Sequence, residues 1–168
     1  MPIGRHHYGL YTYVAGAVTF VAVAALGGGL WGQQTHWMLQ WQHTMFELLC
    51  HQIPDRSFWL GGQPMAVCSR CMGVYGGMLA GVLIVPMAGS VFPTVRRRLR
   101  FDFLKWAVAG TAALNGADIL GNMLSFWQNT LHSRLALGLL VGVAVSALII
   151  SAMTTHNEKK EILHYGTA

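Results

Sequence analysis

The chain has 168 residues, of which 54% are hydrophobic and 10% are Asp, Glu, Lys or Arg. Soluble domains carry about 25% charged residues, so the 11 basic and 6 acidic residues here are too few to cover a soluble surface. This composition excludes ordinary soluble, fibrous and disordered classes and indicates a membrane protein. The net charge of +5 follows from membrane topology and implies no nucleic-acid partner.

Long stretches without charge predict the membrane-spanning helices. Charged side chains are absent between Arg5 and Glu47, between Arg70 and Arg96 and between Arg134 and Glu158, and only Asp118 interrupts the stretch from Lys105 to Arg134. Because a spanning helix needs about 20 mostly apolar residues, we predict spans near residues 10–30, 72–92, 103–126 and 134–154. The first also resembles a secretory signal peptide, but we interpret it as a span. The expected fold is all-α: an integral membrane four-helix bundle in a single polytopic domain over residues 1–168.

Basic residues near the span ends predict the orientation of the chain. They concentrate around the connection between the second and third spans and just after the fourth: Arg96, Arg97, Arg98, Arg100, Lys105, Lys159 and Lys160. The longer segment 31–71 holds only Arg56 and Arg70. Because cytoplasmic loops carry the excess of Lys and Arg, we expect a plasma-membrane protein with its basic connections inside. Its termini and inner loop 93–102 would lie in the cytoplasm, and 31–71 would form an outer loop.

The outer loop opens with a segment that predicts an interfacial helix. Residues 31–49 contain Trp31, Trp37 and Trp41 among many Gln and His residues, and tryptophan favours the membrane–water interface. Apolar and polar side chains recur there in separate stripes at helical spacing. A helix lying at the outer surface fits both stripes. A fifth span is the alternative, and it would invert the later topology.

The cysteines form the most informative pattern of the sequence. All three lie in the outer loop, where Cys50 is followed directly by His51 and where Cys68 and Cys71 have the C-x-x-C spacing. That spacing lets two thiolates point at one centre, as in half of a structural zinc site. We therefore predict a Zn²⁺ site at the outer edge of the bundle, formed by Cys50, His51, Cys68 and Cys71.

Other interpretations of these cysteines stay open. A disulfide is common outside the cytoplasm, but three cysteines leave one thiol unpaired within the chain. His43 and Asp118 are alternatives to His51 as the fourth ligand of a metal. The thioethers of Met65 and Met72 beside the cysteines would suit Cu(I), although copper and haem are less favoured than zinc.

At the cysteines the sequence resembles a known family. The pattern Cys-His-Gln-x-Pro-x-Arg-Ser-Phe, followed by Val-Cys-x-Arg-Cys-x-Gly-x-Tyr-x-Gly, is similar to that of small predicted prokaryotic membrane proteins classed as a domain of unknown function. The matching residues are Cys50, His51, Gln52, Pro54, Arg56, Ser57, Phe58, Val67, Cys68, Arg70, Cys71, Gly73, Tyr75 and Gly77, then Asp118, Asn129, Arg134 and Gly138. The resemblance covers residues 48–142 and implies a multispanning membrane protein with a cysteine–histidine cluster, but no established activity.

Asp118 is the acidic residue inside a predicted span. A carboxylate at such a depth costs about 2.5–3.5 kcal/mol on insertion scales, so it normally faces a polar partner or a wet cavity. Asn115 and Asn122 share its helix face by their spacing. We consider two roles for this face. One is helix–helix contact, with Asp118 paired to Arg134; the other is a ligand, a hydrogen-bond acceptor for His51 or a proton relay beside the metal.

Arginines and glycines near the cysteines predict how the loop and the spans are held. Arg56 and Arg70 are expected to hydrogen-bond loop carbonyls or the carboxylates of Glu47 and Asp55. Glycines recur at four-residue spacing in the second and fourth spans: Gly73, Gly77, Gly81, Gly138 and Gly142. Because small residues at this spacing let helices approach closely, we predict that the second span packs against the third and fourth.

Three functions fit these patterns. The first is a zinc-binding membrane protein of accessory or structural type, whose partners are the lipid bilayer and other subunits of a membrane complex. The second is a membrane thiol-disulfide oxidoreductase that uses Cys68 and Cys71. The third is metal or proton transport along a path that includes His51, Asp118 and Asn122. We favour the first, because four spans with little chain outside the membrane suit an accessory subunit; the sequence does not decide whether the protein is an enzyme.

Overall fold

The computed structural model describes residues 5–27, 36–91 and 101–165, and within them the side chains of 9–27, 41–87 and 102–153. Five α-helices account for most of these residues: α1 (Arg5–Ala25), α2 (His36–Phe46), α3 (Ser69–Val91), α4 (Phe101–Met123) and α5 (Leu131–Tyr165). A single 3₁₀ turn, Pro54–Arg56, and a two-stranded hairpin, β1 (Trp59–Leu60) and β2 (Gln63–Pro64), lie between α2 and α3.

The four long helices coincide with the four predicted spans, with shifted ends. The fourth differs most, because α5 continues to Tyr165 beyond the predicted end at 154. Two helices contain segments long and apolar enough to cross a membrane, Ser69–Met87 in α3 and Leu131–Met153 in α5. The apolar part of α1, Gly9–Ala25, is shorter. The predicted inner loop 93–102 lies mostly outside the described residues, as does the start of the predicted interfacial helix.

The long helices alternate in direction. Tyr11 of α1 contacts Val82 of α3, whereas Gly27, just after α1, lies against Ala66, just before α3. The chain also reverses between α4 and α5, which are joined by a short connection. One end of the bundle, here called the cysteine end, is therefore where α1 and α4 finish and where α3 and α5 begin.

The parallel helices α3 and α5 are in backbone contact through glycines, as their spacing predicts. A methyl group on Gly73 would lie 2.9 Å from the backbone nitrogen of Leu139, and one on Gly142 would lie 2.7 Å from that of Met78. Distances this short leave no room for a side chain, so α3 and α5 form the closely packed centre of the bundle. The predicted packing of the second span against the fourth is confirmed, whereas its predicted packing against the third is not, because α4 packs mainly against α5.

A proline in α3 shapes its contact with α1. Pro86 lies inside α3 and has no N–H, so the carbonyl of Val82, four residues earlier, loses its helical hydrogen bond. The hydroxyl of Tyr11 donates a hydrogen bond of 2.8 Å to that carbonyl. An unpaired carbonyl in hydrocarbon is costly, and this contact satisfies it from the neighbouring helix.

The outside of the bundle is apolar. Large hydrophobic side chains are exposed along all four long helices, among them Tyr13, Phe20, Ile84, Met87, Phe103, Trp106, Leu120, Leu140 and Ile149. Such a surface would aggregate in water but suits contact with lipid chains. Helix α4 also exposes apolar side chains. It is as long as α3, although it carries charged residues as well.

The described part of α2 lies against the cysteine end. Its 11 residues extend about 16 Å. Phe46 is buried at 1% exposure and Gln42 at 5%, while Trp41 stacks on Phe20 of α1 at 6.3 Å between ring centroids. The interpretation of this segment as an interfacial helix stays a prediction.

Candidate metal centre

The loop between α2 and α3 folds back so that its two ends meet. The hydroxyl of Ser57 donates to the carbonyl of Ile53 at 3.0 Å, which closes the 3₁₀ turn. Gly61 and Gly62, at φ of +58° and +80°, make the reversal between the two strands, a backbone that other residues rarely adopt. The amide of Met65 then donates to the carbonyl of Phe58 at 2.9 Å. The loop therefore returns the chain to its starting point just before α3.

This return brings the three cysteines together. The ligand atoms of Cys50, Cys68 and Cys71 all lie within 4.8 Å of one another, and the amide of Cys68 donates to the Sγ of Cys50 at 3.2 Å. All three thiols are free. Tetrahedral zinc with Zn–S bonds of about 2.3 Å places its sulfurs about 3.8 Å apart, whereas a disulfide requires about 2.05 Å. The spacing therefore fits three ligands of one metal ion.

The start of α3 favours thiolates at this site. Cys68 directly precedes the first residue of α3, and Cys71 lies in its first turn. The partial positive charge of a helix N-terminus stabilises anions. Hydrogen bonds from the thiols of Cys50 and Cys71 also lower the pKa of the Cys68 thiol. These effects favour the thiolate of Cys68, which lowers the proton cost of binding a metal there.

An apolar cluster surrounds the three sulfurs. Phe46 and Val67 are buried, and Cys50 is itself only 5% exposed. The ring of Tyr75 packs against that of Phe46 at 5.4 Å between centroids. An apolar shell limits the access of water to a metal and strengthens its bonds to charged ligands. Such a site is closed on the side of the bundle.

Neither histidine proposed for the fourth position belongs to the group of three cysteines. His51 is exposed, although it follows Cys50 directly. His43 is partly buried, its Nδ1 lies 3.3 Å from the Oε1 of Gln52, and its Nε2 is buried without a hydrogen-bond partner among the described residues. The identity of the fourth ligand therefore stays a prediction.

Asp118 is engaged by two polar side chains at the cysteine end. Its Oδ2 accepts hydrogen bonds from the guanidinium of Arg70 and, at 2.6 Å, from the Nδ2 of Asn129. The prediction that Asp118 pairs with Arg134 is thus replaced by a pair with Arg70, and Arg70 contacts Asp118 instead of Glu47 or Asp55. The reason is geometric: Gly138 seats α5 on the backbone of Arg70, and Asn115 bonds α4 to the carbonyl of Leu137, so the start of α3 and the polar face of α4 both lie against α5.

The other two polar residues of the same α4 face also form hydrogen bonds. The Nδ2 of Asn115 donates to the carbonyl of Leu137 in α5 at 3.0 Å. The Oδ1 of Asn122 accepts from the amide of Asn129 at 3.2 Å. The expectation that this face makes helix–helix contacts is confirmed. It joins α4 to α5 and to the connection between them.

Two more arginines lie near this pair. Arg134 in the first turn of α5 interacts electrostatically with Arg56, Arg70, Asp118 and Cys68. The ring of Phe58 contacts that of His132 at 5.8 Å between centroids, which holds the outer loop against the start of α5. The loop residue Arg56 is exposed and Arg134 is partly buried. Arg134 therefore lies near the Arg70–Asp118 pair, and a role of these residues beside a metal stays a prediction.

Sequence reasoning missed two contacts of the described structure. Nothing in the local pattern around Tyr11 marks it as the partner of the Val82 carbonyl; the available signal was Pro86, which frees that carbonyl. The second is the hydrogen bond, at 2.6 Å, from the Nε2 of Gln52 to the carbonyl of His43. Gln52 has a φ of +48°, a conformation that the sequence did not indicate.

Comparison with known proteins agrees with these observations. A family model described as "Predicted membrane protein (DUF2085)" matches residues 50–148, a region that contains the three cysteines and the Arg70–Asp118 pair. A protein of Methanocaldococcus jannaschii, described as uncharacterized, is 50% identical over 87 residues. The match covers 50% of this chain and 56% of that relative, so the chain spans about half the length of the relative. No solved structure matches the chain.

Proposed function

The chain belongs to the DUF2085 family of predicted membrane proteins, and on this premise we propose that it is a zinc-binding, multispanning membrane protein of accessory type. Cys50, Cys68 and Cys71 supply three of the four ligands. Zinc bound by three thiolates and one further ligand has no position left for a substrate. Its chemistry here is structural: it ties the outer loop to the first turn of α3.

The observation that carries this proposal is the convergence of the three thiols within 4.8 Å. The loop ends that carry them are held by hydrogen bonds and by apolar packing of their own. A preformed arrangement needs little rearrangement to bind a metal. The soft thiolates select zinc or copper over magnesium or calcium, and zinc has the tetrahedral preference that suits a fourth nitrogen ligand.

His51 is our proposed fourth ligand, with His43 as the alternative. His51 adjoins Cys50, so rotation of its exposed side chain requires no change in the buried core. His43 has a buried, unpartnered Nε2 and an Nδ1 near Gln52, an arrangement typical of metal-bound imidazoles. Asp118 is a weaker candidate, because Arg70 and Asn129 already hold it.

We extend the membrane assignment to four spans. The alternating directions of α1, α3, α4 and α5 support this proposal, as do the exposed apolar side chains on each. Asp118 could then lie within the membrane without an unpaired charge, because Arg70 neutralises it. The excess of basic residues in the inner loop and the tail supports cytoplasmic termini and a cysteine end outside. The remaining apolar surface would face lipid and other subunits of a complex.

Metal analysis of the purified protein tests the proposal. The protein is purified in a mild detergent without chelator, and its zinc, copper and iron contents are measured with its free thiols. We expect about one zinc per chain and little reaction of the thiols until a chelator is added. The variants Cys50→Ser, Cys68→Ser and Cys71→Ser should each lose most of the zinc. Absence of metal together with free or disulfide-bonded thiols would refute the proposal.

A second function is favoured by one observation. Cys68 and Cys71 lie at the N-terminus of α3, and the pKa of Cys68 is lowered, as in thiol-disulfide oxidoreductases. A redox role predicts a reversible Cys68–Cys71 disulfide in metal-free protein as purified. The thiol count distinguishes the two functions: zinc with three protected thiols supports the first, and one free thiol without metal supports the second.

A further inference from the structure

Three arginines from three different segments converge at the cysteine end. Arg56 comes from the outer loop, Arg70 from the first turn of α3 and Arg134 from the first turn of α5. Arg134 interacts electrostatically with the other two. The ring contact of Phe58 with His132 and the backbone contact of Gly138 with Arg70 hold these segments together independently of charge.

The convergence has too few carboxylates to balance it. Asp118 pairs with Arg70, and neither Arg56 nor Arg134 forms an ion pair within the described part of the chain. Of the three arginines, only Arg70 is therefore paired with a carboxylate among the described residues. The positive ends of α3 and α5 add to the same potential. A zinc ion bound by three thiolates carries a net charge of −1. It would neutralise only one of the two unpaired guanidinium groups, so the net charge of the group stays positive.

Buried donors without partners lie in the same place. The Nε atoms of Arg70 and Arg134 are both buried and have no hydrogen-bond partner among the described residues. A buried donor that lacks an acceptor costs about 1–3 kcal/mol, and more when it is charged. Both Nε–H groups can only donate hydrogen bonds, so each requires an acceptor. A negatively charged acceptor would also balance the excess positive charge of the arginines.

We propose that Arg56, Arg70 and Arg134 form a binding site for a phosphate group beside the cysteine cluster. Guanidinium groups match the geometry of phosphate oxygens and donate to them in pairs. A phosphate group also accepts several hydrogen bonds at once, which satisfies both buried Nε–H groups. The group belongs either to a lipid headgroup or to a free phosphate compound, because the two share the same chemistry. This site is separate from the metal proposal and does not depend on it.

Binding measurements on the full chain in neutral detergent test this site. The probes are inorganic phosphate and dihexanoyl phosphatidic acid, with dihexanoylglycerol as the matched lipid that lacks a phosphate. We expect saturable binding of at least one phosphate probe and none of dihexanoylglycerol. Phosphatidic acid binding about tenfold tighter than inorganic phosphate assigns a lipid headgroup. Similar affinities, or binding of inorganic phosphate alone, assign a free phosphate compound.

Variants decide whether the arginines are responsible. Arg134→Gln and Arg56→Gln should each weaken binding about tenfold or more, whereas Lys105→Gln, which removes one positive charge beside Asp102 near the other end of α4, should change it less than about twofold. Arg56 is exposed, so its replacement leaves the core intact, and thermal unfolding of each variant verifies folding. No saturable binding of either phosphate probe, or equal weakening by Lys105→Gln, would overturn the proposal. The zinc content is measured in the same samples, so that a loss of phosphate binding can be distinguished from a loss of metal.

Discussion

Arg70 and Asp118 form an ion pair between the first turn of α3 and the last turns of α4, with their side chains 22% and 13% exposed. Asn129 binds the same carboxylate oxygen from the connection that follows α4. Arg70 also lies between Cys68 and Cys71 in the chain. One contact therefore links the position of the cysteine turn to that of α4.

Asp118→Asn should destabilise the protein by about 2 kcal/mol, because it leaves the partly buried guanidinium of Arg70 without its counter-charge. This value lies between those measured for exposed and for fully buried pairs. Unfolding in detergent, followed by circular dichroism, measures it. The control is Asp102→Asn in the first turn of the same helix, which breaks an exposed pair with Lys105 and should change stability by less than about 1 kcal/mol. Equal effects of the two substitutions would contradict the structural role of the Arg70–Asp118 pair.

Gly77→Ala should weaken the contact of α3 with α5. A methyl group on Gly77 would lie 2.9 Å from the Cα of Leu139, whereas one on Gly76 meets nothing within 4 Å. We expect a loss of about 1–3 kcal/mol for Gly77→Ala and a small change or a gain for Gly76→Ala, because alanine favours helix. Thermal unfolding of both variants in the same detergent compares them. If Gly76→Ala were the more damaging, the packing described for these helices would be wrong.

Tyr11→Phe should remove the only described side-chain partner of the Val82 carbonyl, which Pro86 has freed. The lost hydrogen bond is expected to lower stability by about 1 kcal/mol. Tyr13→Phe is the matched control, since Tyr13 is 80% exposed. Adding Pro86→Ala to Tyr11→Phe should recover most of the loss, because alanine restores the amide that binds Val82. A loss that the second substitution leaves unchanged would argue against this explanation.

Cys68 should be the most reactive thiol of the metal-free protein, with a rate of alkylation that rises less steeply between pH 6 and 8 than that of an ordinary thiol. Hydrogen bonds from the thiols of Cys50 and Cys71 lower its pKa, whereas a thiol with an ordinary pKa of about 8.5 would react about tenfold faster for each added pH unit. Mass spectrometry after brief iodoacetamide treatment identifies the labelled residue. In Cys50→Ala, which removes a hydrogen bond that lowers this pKa, the pH dependence should become steeper. A steep dependence in the unmodified protein would disprove the thiolate.

Charge and hydropathy predicted the helices well, because the gaps between charged residues are as long as a membrane requires. The cysteine cluster was predictable for a different reason: the three residues lie close in sequence, so one loop reversal unites them. The partner of Asp118 was not predictable from the sequence. Sequence places Asp118 and Arg134 at a similar depth but does not say which helices adjoin. That choice depends on the glycine contacts that seat α5 against Arg70.

The fourth ligand shows a similar limit. Adjacency to Cys50 pointed to His51, yet a residue beside a ligand in sequence can face solvent, as His51 does. His43 comes close in three dimensions to Gln52 because the backbone at Gln52 adopts a positive φ. Such local turns depend on packing between the loop and α2, and residue spacing in the sequence does not predict that packing.

X-ray absorption at the zinc edge of the purified protein tests the central claim most directly, because it counts the sulfur atoms bound to the metal. The account predicts three sulfurs at about 2.3 Å and one nitrogen at about 2.0–2.1 Å. In Cys71→Ser most of the zinc should be lost, and the zinc that remains should have one sulfur fewer. A shell of oxygen and nitrogen alone, or an unchanged shell in Cys71→Ser, would contradict it.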